Sequence, residues 1–156
     1  MKYLDTMVTF SEFPDEISLL INITGCCIKC PGCHSPELWE DVGTELTYIE
    51  LDKLIEDSYG ISCIGLMGGD NNRIHINRLA EYIKNKYSNL KVGWYSGNSK
   101  LSDFINLDNF DYIKLGPYVK ELGGLDNPNT NQRFYKVENN QLIDWTYKFW
   151  KHDKGN

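Results

Sequence analysis

The chain has no dense block of lysine and arginine, no apolar run of membrane-spanning length, no internal repeat and no low-complexity tract. Its 16 Lys plus Arg stand against 22 Asp plus Glu, a formal charge of −6, and an acidic chain without a basic patch is a poor partner for nucleic acid. No run approaches the roughly 20 apolar residues of a membrane span. The opening Met1-Lys2-Tyr3-Leu4-Asp5-Thr6 lacks the pattern of a signal peptide, so the expected setting is cytoplasmic, away from any membrane. A second C-x2-C pair is also missing, although structural zinc sites often draw four ligands from two such pairs. The 5 cysteines are odd in number, and four of them lie between positions 26 and 33, which disfavours a disulfide framework. With 156 residues the chain can bury about two-thirds of its unfolded surface, enough for one core, and no linker divides it. A single domain over 1–156 is expected.

What is present is concentrated in Cys26-Cys27-Ile28-Lys29-Cys30-Pro31-Gly32-Cys33, followed by His34. Cys26, Cys30 and Cys33 stand at C-x3-C-x2-C spacing, and a short loop of that kind can turn three thiolates toward one point. With no fourth cysteine nearby, one coordination position is left open, as in a 4Fe–4S cluster held by three cysteines. A zinc site is the rival reading. His34 could serve as its fourth ligand, but adjacent residues rarely reach one tetrahedral ion together. Cys27 falls outside the spacing and reads as a spectator; Cys63 reads as a small core residue.

Periodicity supplies the frame. Ile17-Ser18-Leu19-Leu20-Ile21-Asn22-Ile23-Thr24 reads as a buried strand that delivers its end to the cysteine loop. Thr47-Tyr48-Ile49-Glu50 reads as a capping box that opens a helix to about Ser58. A second strand over Ile61 to Met67 ends in Gly68-Gly69-Asp70, and a second helix runs from near Asn72 to about Tyr87. Lys91 to Tyr95 and Tyr112 to Leu115 read as a third and a fourth strand, ending in Ser96-Gly97-Asn98 and Gly116-Pro117. Strands alternating with helices imply a mostly parallel α/β sheet whose carboxyl-end rim binds ligands. A closed eightfold barrel needs roughly 200 residues, so the expectation is a partial, open (β/α) barrel.

Gly68-Gly69-Asp70 is the second informative group. Two glycines after a strand would let a ligand approach the backbone, and the carboxylate could accept from a cationic amine. The plain alternative is a strand-to-helix turn in which Asp70 or Asn71 caps the helix. Gly123-Gly124-Leu125-Asp126-Asn127-Pro128-Asn129-Thr130-Asn131-Gln132 is too rich in turn formers for a regular element and reads as a loop over the open rim. The aromatic residues of the second half are expected mainly in the core, with exposed members free to meet a partner. His75 and His152 are expected at the surface.

A cysteine loop after the first strand and a glycine-glycine-acid motif after the second resemble the radical S-adenosylmethionine enzymes. Within them, Cys30-Pro31-Gly32-Cys33-His34-Ser35-Pro36-Glu37-Leu38-Trp39, Trp94-Tyr95-Ser96-Gly97, Lys114-Leu115-Gly116-Pro117-Tyr118 and Thr130-Asn131-Gln132-Arg133 are similar to anaerobic ribonucleoside-triphosphate reductase activating proteins. Gly32 departs from the aromatic residue of the wider superfamily, in agreement with this subgroup. The resemblance implies a radical S-adenosylmethionine type of open barrel in which Cys26, Cys30 and Cys33 hold three irons of a 4Fe–4S cluster and S-adenosylmethionine chelates the fourth. It implies reductive cleavage of S-adenosylmethionine and removal of a Cα hydrogen from one glycine of the reductase, with a flavodoxin- or ferredoxin-type electron donor. Gly68, Gly69 and Asp70 would bind the methionyl amine, and Ser96 and Gly97 the ribose or carboxylate. Lys114 would meet the carboxylate or the glycine loop, unless it projects into solvent as a strand-end lysine. His34 would cover the cluster or adenine, unless it is an ordinary loop residue. A radical synthase acting on a small molecule and a nonenzymatic zinc-binding adaptor are the alternatives.

Overall fold

The structure, a computed structural model, describes residues 1–150; His152 lies outside the described residues. The elements run β1 (Lys2–Thr9), β2 (Ser18–Ile23), β3 (Thr44–Glu45), α1 (Tyr48–Glu56), β4 (Cys63–Met67), α2 (Arg73–Lys86), β5 (Lys91–Tyr95), β6 (Tyr112–Leu115), β7 (Arg133–Glu138) and β8 (Gln141–Asp144). Among the described residues they form one open, eight-stranded sheet in the order β3-β1-β2-β4-β5-β6-β7-β8.

The four strands expected from the apolar runs are the parallel centre, with Leu19 beside Ile64, Ile64 beside Val92, and Trp94 beside Ile113. The expectation of a mostly parallel sheet needs correction, because β1, β3, β7 and β8 join by antiparallel pairings on both flanks. Hairpins need no crossover helix, so the short sequence left after two helices is spent on hairpins. The connection from β5 to β6 carries only a 3-10 turn at Leu107–Asn109.

Local chemistry explains the helix starts. Thr47 caps α1 by accepting from the Glu50 N–H at 3.1 Å. The Glu50 carboxylate does not close the expected box; it accepts from the Tyr3 hydroxyl at 2.5 Å and ties α1 to β1. Asn72, rather than Asp70 or Asn71, caps α2 by accepting from the His75 N–H. His75 is half-buried, against its expected surface position, and its Nε2 is sealed without a partner. Burial, then the N-terminal ammonium and Arg78, push its imidazole below the usual range.

Alternation divides the sheet into two faces. Leu19, Ile21, Ile64, Leu66, Val92, Trp94 and Ile113 meet the apolar stripes of α1 and α2. The opposite face, which carries no α-helix among the described residues, is covered at the amino ends of the strands by Phe13, which is fully buried with Phe134 and Tyr112 around it. Phe13 lies so close to Gly65 and Gly93 that a Cβ on either would overlap its ring, at 2.6 and 2.0 Å. Beneath it, Glu16 accepts from Ser62 Oγ, from the Tyr112 hydroxyl and from the Lys91 ammonium. One carboxylate thus fastens the approaches to β4, β5 and β6. Burial opposes its charge, but these three donors outweigh burial and hold Glu16 below the usual carboxylate range.

A carboxylate with a lowered folded pKa stabilises the fold above its unfolded value, and that contribution is lost as the pH falls through the folded one. Glu16→Gln is therefore expected to cost about 1–3 kcal/mol at neutral pH. Urea titrations should show the gap between variant and wild type closing below about pH 4. A gap that stays constant with pH would contradict this assignment.

Candidate functional site

The carboxyl ends of the parallel strands open, on the face away from α1 and α2, into a cavity of about 870 Å³. Ligand pockets usually span roughly 300–1,000 Å³. Met67, Tyr95 and Lys114 form its floor at the ends of β4, β5 and β6. Cys33, His34 and Ser35 form one wall; Met7 and Glu12 and the loop Gly123 to Asn127 form others. The turn-rich segment thus lies over the rim as expected.

The cysteine loop leaves β2 through Gly25 and is pinned at its base, where the Gly25 and Cys26 N–H groups donate to the carbonyls of Glu40 and Leu38. It turns back at Gly32, whose φ of +76° belongs to the region that side chains disfavour, which is a physical reason for glycine before the last cysteine. Cys26, Cys30 and Cys33 are partly buried, while Cys27 is exposed. Cys30 Sγ accepts from the Tyr118 N–H and Cys33 Sγ from the Ser35 N–H, each at 3.4 Å. N–H donors aimed at sulfur stabilise thiolates and tune the metals they bind. Among the described residues no three His, Cys, Asp or Glu side chains converge on a point as a single metal ion requires. A cluster spreads its thiolates over different irons, and three soft donors on one loop, of which Cys33 lines the cavity, fit that demand. Cys63 stands apart in β4, fully buried, its thiol pushed up to about 12 mainly by burial, as suits an inert core residue.

Lys114 is the residue whose place the structure decides. It is not a solvated strand-end lysine: it is 9 % exposed, and Nζ donates to the Gly116 carbonyl at 3.0 Å beside the Tyr95 ring. Burial pushes its ammonium down to about 8, against the opposing pull of Cys30 and Asp70. Below that pH it presents a positive charge, with donors to spare, in the cavity floor. His34 is exposed, lines the cavity, and tilts against Tyr118 with ring centroids 5.0 Å apart.

Gly68, Gly69, Asp70, Ser96 and Gly97 do not line this cavity; Asp70, Ser96 and Gly97 form a hydrogen-bonded network behind the cysteine loop, with Asp70 and Ser96 buried. Asp70, 5 % exposed, accepts from Ser96 Oγ at 2.6 Å, from the Gly97 N–H at 2.8 Å and from Asn98 Nδ2 at 2.7 Å. The expected carboxylate open to an amine is thus one already holding three donors. The Gly68 N–H donates to the Tyr95 carbonyl and the Gly68 carbonyl accepts from the Trp94 indole, so little of its backbone is free for a ligand. Gly69 has φ +89°, and a Cβ there would meet Ile76 at 2.4 Å. Ile28 of the cysteine loop packs on Gly97, where a Cβ would stand 2.8 Å from it. The network therefore joins the ends of β4 and β5 and seats the cysteine loop on them.

Sequence reasoning missed Asn98, Tyr118, Ile28 and Glu12. Asn98 directly follows the Ser-Gly pair and could have been included with it; a backbone N–H such as that of Tyr118 has no signature. Thr130-Asn131-Gln132 turns out to be bracing: Thr130 Oγ1 donates to the Gly123 carbonyl and Asn131 Nδ2 to the Pro117 carbonyl. Gln132 also reaches the cavity wall.

Comparisons with known proteins agree with the thiol loop. The family described as a 4Fe–4S single cluster domain matches residues 17–143. The chain is 28% identical over 146 residues, 86% of this chain and 88% of the relative, to the anaerobic ribonucleoside-triphosphate reductase-activating protein of Enterobacteria phage T4. No solved structure gives a significant match.

Proposed function

We propose that this chain, which belongs to the family of 4Fe–4S single cluster domains, activates an anaerobic ribonucleoside-triphosphate reductase by generating a glycyl radical on it. The observation that carries the proposal is three thiols on one loop, two of them receiving N–H donors, with Cys33 lining a cavity floored by a buried lysine. The similarity to a phage protein named for that activation supports the choice of partner. The fold is read as an open barrel of the radical S-adenosylmethionine type, built on the four parallel strands.

In this reading Cys26, Cys30 and Cys33 hold the cluster. A bound cluster would supply the electron for reductive cleavage of S-adenosylmethionine, and so the oxidising power needed to remove the glycine Cα hydrogen. The protein's own groups bind and orient. Lys114 offers its ammonium to the methionyl carboxylate from the cavity floor, and Tyr95 and Met67 supply apolar surface beside it. His34 and Tyr118 close the side next to the cysteine loop. Asp70, with Ser96, Gly97 and Asn98, fixes the strand ends on which that loop rests rather than touching the ligand. The glycine-bearing segment fills the open mouth and excludes water from the radical. A flavodoxin- or ferredoxin-type protein is the proposed electron source, and the cytoplasm the proposed setting.

Anaerobic reconstitution with iron and sulfide tests the assignment. About four irons per chain, a broad visible absorption and slow partner-free cleavage of S-adenosylmethionine are expected; tight, colourless zinc binding without cleavage would favour an adaptor. Efficient turnover of a small molecule, with the reductase left unmodified, would favour a synthase.

Lys114→Met should weaken S-adenosylmethionine binding to the reconstituted protein about tenfold at pH 7, the scale of one charge-assisted hydrogen bond. Because burial lowers the pKa of the Lys114 ammonium, the wild-type affinity should fall more steeply than the variant's as the pH rises above neutral. Parallel pH profiles for the two proteins would remove Lys114 from the ligand.

A further inference from the structure

Strand β1 pairs with β2 along its length but with β3 only at Lys2 and Tyr3. From Asp5 to Thr9 its outer edge has no strand beside it among the described residues. Proteins usually blunt such an edge with lysine, proline or a very short strand. This one instead carries Met7 and Val8, 59% and 48% exposed, and runs on to Phe10, 73% exposed. Asp5, the one charge on the stretch, is turned aside to accept from Asn22 Nδ2 at 2.6 Å.

The edge is also continuous with the cavity. Met7 lies beside Leu20 in register, and both line the cavity together with Ser11 and Glu12 from the segment that follows β1. The other outer strand, β8, contributes no residue to the cavity and bears Asp144 at its end.

We propose that the outer edge of β1 from Asp5 to Thr9 is the docking strand for the glycine-bearing segment of the protein substrate, which adds to the sheet as an extended strand. This rests on the activase reading. A segment paired there runs about 4.8 Å from β1 and turns every second residue to the cavity face, next to Met7. Main-chain hydrogen bonds provide sequence-tolerant affinity, and the apolar Met7, Val8 and Phe10 provide contact area. The residues that continue beyond the paired stretch can then turn into the cavity, where a glycine offers its Cα with no side chain of its own in the way.

Hydrogen–deuterium exchange on the reconstituted protein, with and without the reductase, tests the inference together with Val8→Lys. Val8 lies outside the cavity lining, so iron content and partner-free S-adenosylmethionine cleavage should be unchanged in the variant. The expected result is protection of amides in Asp5–Thr9 by the reductase, and about tenfold weaker binding of the reductase to Val8→Lys, the cost of setting a charge against an apolar contact. Protection confined to β8 or to α1, or wild-type affinity in the variant, would overturn it. A glycyl radical formed while β1 remains unprotected would sink this inference alone. Protection of β1 with no radical formed would sink the activase reading and leave the docking edge in place.

Discussion

Replacing Cys26, Cys30 or Cys33 by alanine is expected to abolish both retention of the cluster and cleavage of S-adenosylmethionine, whereas Cys27→Ala should leave both near wild type. Each of the three occupies the partly buried side of the loop, while Cys27 faces solvent. Removing one thiolate leaves an iron without its protein anchor, and the neighbouring donors, Cys27 and His34, are both exposed to solvent. Lys114 and the Tyr118 N–H, placed to balance thiolate charge, would then face an uncompensated site. Iron and sulfide content after anaerobic gel filtration measures the effect. A full cluster in any of the three variants, or its loss in Cys27→Ala alone, would contradict the ligand assignment.

The second large effect is expected at Asp70, and it is structural before it is functional. Asp70→Ala leaves Ser96 Oγ, the Gly97 N–H and Asn98 Nδ2 without their common acceptor in a nearly sealed setting. An unsatisfied buried donor costs about 1–3 kcal/mol, and water can reach the partly exposed Asn98, so a total loss of about 2–4 kcal/mol is expected. Because Ile28 rests on Gly97, loosening that turn should also lower the iron retained per chain. Helix α2 should persist, since Asn72 supplies its cap. Chemical denaturation and iron content read the two effects. Unchanged stability with weakened S-adenosylmethionine binding would restore Asp70 to direct contact with the ligand.

These two cases show where a sequence speaks and where it falls silent. β2, β4, β5 and β6 were legible because each is an apolar run closed by glycine or a polar turn, and they form the parallel centre as read. β1 was missed because a register irregularity between Tyr3 and Thr6 breaks its alternation. The β7–β8 hairpin had a usable signal in Asn139-Asn140, whose φ values of 50° and 57° make the tight turn that favours asparagine. The aromatic residues around it drew attention to packing instead.

At the site, cysteine spacing is local and was readable, as was the glycine-glycine-acid motif. The partners of Asp70 were not, because it meets them only when β5 comes to lie beside β4. Lys114 could be either solvated or buried until Tyr95 and the rim loop enclosed it. Phe13 and Glu16 precede the first recognisable strand, yet they hold the amino ends of the sheet, a role set by contacts as remote as Tyr112.

The central claim is that the Cys26–Cys33 loop supports formation of a radical on a glycine of another protein. It is tested most directly by electron paramagnetic resonance of the reductase after anaerobic reduction with this protein and S-adenosylmethionine. A glycyl doublet is predicted that requires S-adenosylmethionine and disappears when the target glycine of the reductase is replaced by alanine while the complex still forms. A reconstituted, reduced protein that binds the reductase but yields no such signal would contradict the account.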